Sequence, residues 1–295
     1  MERKNKEKYK EYKTQLQWEK AGFKIKRNQT PLRLWSNGFC NEVYLYYSPR
    51  QVKPMTEEEI AAFKEKEAAK RKQSRTKRIE IEKREKELRK KYERLIALRN
   101  QVKQGLQNLK YDKPYRELIV IDAETTGLTD DDELLQVSII DENGEELYNS
   151  YLKPLVKEGW SSAQLINGIS PQMVEDAPSI CSEAPKIAEI LKSAKEIVGY
   201  NVYFDLGFLR DYGIEPDPEA DIIDVMEIFA EIYGEWNDYY GNYKCQKLVT
   251  CAAYYRFDWT GLKAHDSLAD CQATLFCYKK ILEKQKEENK DGTIV

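Results

Sequence analysis

The stretch Leu118-Ile-Val-Ile-Asp-Ala-Glu-Thr-Thr-Gly127 decides the fold of the carboxy-terminal half of this 295-residue chain. Its apolar beginning predicts a strand, and Asp122 and Glu124 follow at the carboxyl end of that strand. Residues i and i+2 of a strand point to one face, so both carboxylates project together. Like charges held side by side repel, so the pair indicates a cation between them or a solvated strand end. Gly127 allows a sharp turn beside a ligand.

The residues after this stretch predict the rest of an α/β fold. Leu134–Asp141 and Glu146–Leu152 are apolar runs joined by the hairpin turn Asp141-Glu-Asn-Gly. Helical patterns then alternate with short apolar pieces, with helices expected at 182–193, 202–210, 225–233 and 268–284 and strands at 196–199 and 221–224. An antiparallel start followed by this alternation predicts a mixed sheet covered by helices.

A third carboxylate lies in the run Gly199-Tyr-Asn-Val-Tyr-Phe-Asp-Leu-Gly-Phe-Leu209. We expect Asn201 to cap this helix, four residues before Asp205 on the same face. A carboxylate between Phe204 and Leu206 must be paired, metal-bound or on an exposed stripe of the helix. The residues alone leave these alternatives open.

His265 is the single histidine of the chain and precedes Asp270 by five residues. On a continuous helix the two would lie about 140° apart, so they converge only if His265 lies outside the helix. Asp266 is well placed as an N-cap, which leaves His265 on the preceding loop, where its imidazole could act as a general base.

These motifs together resemble those of a known family. Their order and spacing are similar to those of the three exonuclease motifs of the DEDDh branch of the DnaQ-like superfamily, which includes the epsilon subunit of DNA polymerase III. The matching runs here are Asp122-x-Glu124-Thr-Thr-Gly-Leu, Asn201-x-x-Phe-Asp205-Leu-Gly-Phe-Leu and His265-Asp-x-x-x-Asp270. The segment from Ile166 to Pro178 also resembles the family, although Asn167 stands where a histidine is frequent.

The resemblance implies an RNase H-like fold and a two-metal mechanism. Asp122, Glu124, Asp205 and Asp270 would hold two Mg²⁺ or Mn²⁺ ions, hard cations that prefer oxygen ligands. His265 would remove a proton from the attacking water, and the product would be a nucleoside 5′-monophosphate. The residues implied to bind the substrate are Thr125, Thr126, Gly127, Leu128, Asn201, Phe204 and Phe208, with core packing an equal alternative for Phe208.

The first 112 residues predict two further parts. Residues 1–55 form an aromatic-rich basic module whose rings either build its core or stack on nucleic acid; a helix is expected at 9–20 and a strand at 42–47. Thr56 and Glu59 form a capping box that opens a long charged helix over 56–112. Its apolar spacing fits a coiled coil, so it would form a homodimer through residues 56–110 or separate its flanking domains. The exonuclease domain is expected at 113–286, with a tail at 287–295.

Charge is divided unevenly along the chain. Residues 1–110 carry 31 Lys and Arg against 15 Asp and Glu, a net charge of +16, while residues 111–295 carry 17 against 36, a net charge of −19. This asymmetry is typical of a protein whose basic part contacts a polyanion, although a solvated helix with surplus lysines gives the same count. The densest positive run is Lys70–Arg78.

The expected activity is metal-dependent 3′→5′ hydrolysis of DNA at single-stranded or frayed 3′ ends, in proofreading, repair or end trimming. The alternatives are an exoribonuclease of the RNase T or oligoribonuclease kind and a non-catalytic nucleic-acid-binding adaptor. A polymerase or another replication or repair protein would act in trans. No apolar run predicts a membrane span or signal peptide, and a cytoplasmic location with six reduced, buried cysteines is expected.

Overall fold

The computed structural model describes residues 2–3, 9–35, 43–107, 109–110 and 115–290. Cys40, one of the six cysteines expected to be buried, lies outside these residues, as do residues 111–112 of the predicted helix and 291–295 of the predicted tail. The chain divides into two compact units, Met1–Glu87 and Leu88–Val295. In the part described, no helix has both the length and the apolar character that crossing a bilayer requires.

Among the described residues, the first unit contains six short strands, one short α-helix, a 3-10 helix at Pro49–Gln51 and the first part of a long helix. The strands are β1 (Glu2–Arg3), β2 (Lys13–Thr14), β3 (Phe23–Ile25), β4 (Leu32–Trp35), β5 (Val43–Tyr47) and β6 (Val52–Pro54), and the helix is α1 (Gln15–Lys20). The sheet order is β1-β4-β5-β2, and β3 pairs with β6. The helix is shorter than predicted because Thr14, in extended conformation, forms a capping box with Gln17 and sets its start.

Several aromatic residues of the first unit build its core, which is one of the two roles expected for them, whereas Tyr44 is 41% exposed. Tyr9, Leu34 and Tyr46 form a buried cluster, and Trp18 is 7% exposed and contacts the ring of Phe23. A module this small needs its large apolar groups for its own stability.

The long helix α2 (Glu57–Gln107) begins at the predicted capping box: Glu59 N donates to Thr56 Oγ1 at 3.3 Å, and Thr56 N donates to Glu59 Oε2 at 3.0 Å. The basic run Lys70–Arg78 is exposed along its whole length. Burial is confined to the last part of the helix, at Leu95, Arg99, Val102 and Leu106. Val102 and Leu106 join the core of the second unit, whereas Ile81 and Leu88 of the same apolar pattern are exposed, so the coiled coil stays a prediction.

The second unit is built on a five-stranded mixed sheet of order β11-β10-β7-β8-β9. Its strands are β7 (Arg116–Thr125), β8 (Leu134–Asp141), β9 (Glu146–Tyr151), β10 (Ala194–Gly199) and β11 (Asp221–Asp224). β7, β8 and β9 are antiparallel, while β10 is parallel to both β7 and β11. The predicted mixed sheet is confirmed, and so is the antiparallel beginning.

Helices cover both faces of this sheet. They are α3 (Ser161–Asn167), α4 (Ile180–Lys192), α5 (Val202–Arg210), α6 (Val225–Tyr233), α7 (Leu248–Tyr255) and α8 (Ser267–Lys290). Alternate residues of β7 face opposite ways: Ile119 and Ile121 pack with α4 and α5, whereas Leu118 and Val120 pack with α6, α7 and α8. The bounds of α5 and α6 match the prediction, and α4 and α8 differ from it by a few residues at their ends.

Three elements of the second unit were not predicted: helices α3 and α7, and a hairpin of β12 (Trp236–Asn237) and β13 (Asn242–Tyr243). The prediction of buried cysteines is correct for Cys251, Cys271 and Cys277 and wrong for Cys181 and Cys245, which are exposed. All five are free thiols.

Candidate active site

Asp122 and Glu124 lie where β7 extends beyond its parallel neighbour. The last pair between β7 and β10 joins Val120 to Val198, whereas pairing with β8 continues to Thr125. Residues of β7 after Val120 therefore have no paired residue on β10. The register with β8 is irregular after Glu124, which ends the strand just beyond the two carboxylates.

Asp205 contacts this part of β7. It lies in the first turn of α5, is 3% exposed, and its Oδ1 accepts a hydrogen bond from Ala123 N at 2.9 Å. Because Ala123 separates Asp122 from Glu124, this bond holds the third carboxylate beside the other two. Of the alternatives left open by the sequence, the exposed stripe is excluded by this burial.

Asp270 and His265 approach the same place from the start of α8. Asp266 caps the helix, since Ala269 N donates to its Oδ1 at 3.3 Å, so His265 lies outside the helix as predicted. His265 has a φ of 63°, a left-handed conformation that is uncommon outside glycine. Its backbone N donates to Asp270 Oδ2 at 3.2 Å, which places the exposed imidazole near that carboxylate.

One oxygen of Asp270 has no hydrogen-bond partner among the residues that the structure describes. The residue is 8% exposed, and its Oδ1 is buried without a hydrogen bond. Candidate ligand atoms of Glu124, His265 and Asp270 all lie within 4.8 Å of one another. A buried acceptor without a donor is costly, and a hard cation is the partner that a carboxylate-rich cluster accepts best. The donor set therefore fits a divalent metal ion.

The electrostatics of the cluster lead to the same conclusion. Burial raises the pKa of Asp122 well above its usual range, and the nearby Asp205, Asp270 and Glu124 raise it further. Burial also raises the pKa of Asp205, against the opposing hydrogen bond from Ala123 N. Burial and the charge of Asp270 raise the pKa of Glu124 to about 8, while burial raises that of Asp270 to about 7. Such a cluster cannot ionise fully at neutral pH without added positive charge.

The loop after β7 is held by its threonines. Thr126 Oγ1 donates to Asp132 Oδ1 at 2.8 Å and accepts from Glu133 N at 2.9 Å, and both Thr125 and Thr126 are buried. A Cβ on Gly127 would overlap the Asp132 carboxylate, so this position requires glycine. Leu128, by contrast, is 82% exposed. Of these four predicted substrate contacts, Leu128 is the one whose side chain is free to meet a ligand.

The loop is also fixed from α2. The Arg99 guanidinium, 6% exposed, donates to Asp130 O at 2.8 Å and to Asp132 O at 2.9 Å. It forms an ion pair with Asp211 at 2.9 Å and lies over the Tyr212 ring. The end of α2 therefore supports the loop that follows the candidate site.

Two expectations for α5 can be compared with the structure. Asn201 is the N-cap residue of the helix, as expected, but its side chain makes no capping hydrogen bond. The residue is left-handed with a φ of 64°, and its backbone N donates to Asp224 Oδ1 at 2.9 Å. Phe208 is 9% exposed and packs in the core, with its ring 5.0 Å from that of Phe204. Asn201 and Phe204 line the candidate cleft, whereas Phe208 does not.

These groups line one cleft with a volume of about 830 Å³. All four carboxylates and His265 line it. Sequence reasoning missed several of its other lining residues, among them Leu165, Ile166, Tyr200, Met226, Gln246 and Lys247. Leu165 and Ile166 are 89% and 61% exposed on the short helix α3. Because the helix is short, the sequence shows no apolar periodicity that would have pointed to these two residues.

Asn167, at the end of α3, braces the strand that carries the acids. It is buried, its Nδ2 donates to Thr125 O at 3.3 Å, and its Oδ1 accepts from Ile169 N at 3.0 Å. A hydrogen bond from its side chain also opposes the rise in the pKa of Glu124. The departure from histidine noted in the sequence thus leaves a residue with a defined structural role.

The comparison with protein families matches residues 119–278 to the RNase_T exonuclease model. The chain belongs to the RNase_T exonuclease family. This range includes all four carboxylates and His265, and it makes the carboxy-terminal unit an exonuclease domain of a divalent-metal-dependent family.

Relatives of this family member include other exonucleases. The exonuclease CP81 of Escherichia phage 186 is 34% identical over 166 residues, which are 53% of this chain and 84% of that protein. The PolC-type DNA polymerase III of Caldanaerobacter subterraneus is 28% identical over 58% of this chain but only 12% of its own length. RNA exonuclease 4 of Aspergillus fumigatus is 29% identical over 58% of this chain and 53% of its own length.

Among solved structures, the zinc-bound complex of Escherichia coli exonuclease I with single-stranded DNA is 21% identical, with a TM-score of 0.44, over 58% of this chain and 42% of that one. Exonuclease X with 5′-overhanging duplex DNA is 21% identical, with a TM-score of 0.42, over 57% of this chain and 92% of that one.

Proposed function

We propose that the protein removes nucleoside 5′-monophosphates from the 3′ end of DNA, at single-stranded or frayed ends. The observation that carries this proposal is the convergence of Asp122, Glu124, Asp205 and Asp270 with His265 in one cleft. Membership of the exonuclease family supports the reaction class. The phage relative supports it as well, because this chain matches 84% of the length of that exonuclease.

The four carboxylates would hold two Mg²⁺ or Mn²⁺ ions. Bound there, the ions would neutralise charge on the scissile phosphate and make the attacking water more acidic. The free Oδ1 of Asp270 and the raised pKa values of the cluster support this assignment, because both are relieved by a cation. Carboxylate oxygens are the ligands that these hard ions prefer.

His265 is proposed as the general base. Its imidazole is exposed at the mouth of the cleft, and the positive φ of its backbone keeps it off the helix that carries Asp270. An imidazole nitrogen there would accept the proton from the attacking water as the phosphodiester bond breaks. The leaving 3′ oxygen would then take a proton from solvent.

The terminal nucleotide would be held by residues around the acids. Asn201 and Phe204 line the cleft and Leu128 is exposed beside the strand end, so these three are proposed to shape the nucleotide site. Thr125, Thr126 and Gly127 would contribute backbone groups, because their side-chain positions are filled by the loop's own contacts.

The test is cleavage of 5′-labelled single-stranded DNA and RNA of one sequence, each with Mg²⁺, Mn²⁺ or EDTA. We expect a metal-dependent ladder from the 3′ end, faster on DNA. Asp122→Asn and Asp270→Asn should each reduce the rate at least about 100-fold, because even the loss of a group that only supports a metal ligand costs about 10- to 100-fold. Asp176→Asn, an exposed carboxylate outside the cleft, is the matched control.

Two results decide between the candidates. Faster RNA cleavage would favour the exoribonuclease alternative, which the RNA exonuclease relative supports. Binding without cleavage of either polymer would leave only the adaptor.

A homodimer through residues 56–110, and association in trans with a polymerase or another replication or repair protein, stay predictions. So does the division into parts at 1–55, 56–112, 113–286 and 287–295.

A further inference from the structure

The hairpin β12–β13 exposes four aromatic side chains within eight residues. Trp236, Tyr239, Tyr240 and Tyr243 are 53%, 86%, 74% and 40% exposed. None of the four belongs to a described core cluster of the second unit. Single exposed aromatics are ordinary, but a group of them on one small element is typical of an interaction surface.

The four rings contact one another in two pairs. Trp236 and Tyr243 face each other across the two strands, with ring centroids 5.1 Å apart and planes at 84°. Tyr239 and Tyr240 form a second edge-to-face pair at 4.8 Å. The turn is closed by Gly241 N donating to Asn237 O at 2.8 Å. A surface ordered in advance loses little conformational entropy when it binds a ligand.

The hairpin is continuous with the cleft that holds the carboxylates. Its base is closed by Lys244 N donating to Glu235 O at 2.8 Å, and Gln246 Nε2 donates to Glu235 Oε2 at 3.0 Å. Gln246 itself lines the cleft, and its carbonyl accepts from the hydroxyl of Tyr200, another lining residue, at 2.9 Å. A ligand that leaves the cleft along this wall therefore meets the aromatic hairpin.

We propose that the hairpin stacks unpaired bases of the strand whose 3′ end lies in the cleft; this rests on the proposed function. Every base has a π-face, so aromatic rings bind single strands with little regard to sequence. A base in a duplex has both faces occupied, so the hairpin would favour single-stranded substrates. Lys247, which also lines the cleft, follows Tyr243 of the hairpin by four residues and offers a cation for nearby phosphates.

The experiment compares a dinucleotide with a single-stranded 12-mer as substrates of the full chain. The Tyr239→Ala, Tyr240→Ala double variant should lower kcat/KM on the 12-mer about tenfold or more, through KM, and leave hydrolysis of the dinucleotide unchanged. The Phe double variant keeps both rings and should retain wild-type values. Tyr115→Ala is the matched control, because Tyr115 is 59% exposed and precedes the opposite end of β7.

The salt dependence gives a second readout. Loss of stacking should raise KM by a similar factor at every salt concentration, whereas loss of phosphate contacts would change the slope. Unchanged kinetics on the 12-mer would overturn the proposal and leave the hairpin for another partner, such as a protein. Equal losses on both substrates would also overturn it, since they indicate a damaged cleft. If the wild type cleaves neither substrate, the proposed function itself fails.

Discussion

The carboxylate cluster predicts an unusual pH dependence for the metal-free protein. The pKa of Glu124 rises from 4.5 to about 8 and that of Asp270 from 3.8 to about 7, with burial as the main cause in both. A carboxyl whose pKa is raised by folding favours the folded state when protonated. That contribution is complete below the unfolded pKa and is lost as the pH rises through the folded pKa.

The size of the effect follows from these values. Between pH 6 and pH 9 the linkage relation gives a loss of roughly 3 kcal/mol in the free energy of unfolding from Glu124, and roughly 1 kcal/mol from Asp270. The metal-free protein should therefore be about 4 kcal/mol less stable at pH 9 than at pH 6. A bound divalent ion should cancel most of this loss, because it stabilises the ionised carboxylates.

Urea unfolding in EDTA, and again in excess Mn²⁺, at pH 6, 7, 8 and 9 measures this prediction. The double variant Glu124→Gln, Asp270→Asn serves as the control and should show a much flatter pH dependence without metal. The reasoning would be refuted by a wild type whose metal-free stability is constant over this range. The reasoning would also be refuted if the stability of the double variant fell with pH as steeply as that of the wild type, because the loss would then come from other groups.

Three further predictions concern supporting residues. Arg99→Met should lower the free energy of unfolding, measured in urea, by about 2–4 kcal/mol, because Asp130 O and Asp132 O lose their donor. The control Arg94→Met, on the exposed face of α2, should change it little. A loss under about 1 kcal/mol for Arg99→Met would contradict the role of Arg99. Gly168→Ala should lower the free energy of unfolding by about 1 kcal/mol, because φ is +77° at this position. Gly207→Ala should raise it, because Gly207 lies inside α5 with open space around it. A change in the free energy of unfolding with the same sign for both variants would contradict this prediction. Replacing residues 70–72 by glutamate should weaken nucleic-acid binding and reduce its salt slope by about two to three, and an unchanged slope would exclude this basic run as a phosphate contact.

The sheet and the acidic cluster could be predicted because their signals are local. An apolar run followed by Asp122 and Glu124 defines both a strand and the face that its end presents. The cap at Asp266 was readable in the same way, and it forced His265 out of the helix. In each case a short stretch contains all the residues that determine the geometry.

The features that the sequence left open or missed depend on distant contacts or on elements too short to show a pattern. Asn201 looks like a cap in sequence, but its left-handed conformation is fixed with a hydrogen bond to Asp224, 23 residues later. Phe208 lies one helical turn after Phe204, and which of the two faces the cleft depends on the core beneath them. Helix α3 has seven residues, too few for an apolar period to appear.

The packing of Leu95, Val102 and Leu106 has a practical consequence for anyone dividing this gene into pieces. Two of these side chains belong to the main core of the exonuclease unit, so a fragment that begins at residue 113 would lack part of its own interior. It would expose the apolar surface that α2 covers, and we expect it to aggregate on expression. A fragment beginning before Leu88 keeps this layer and is the one to purify.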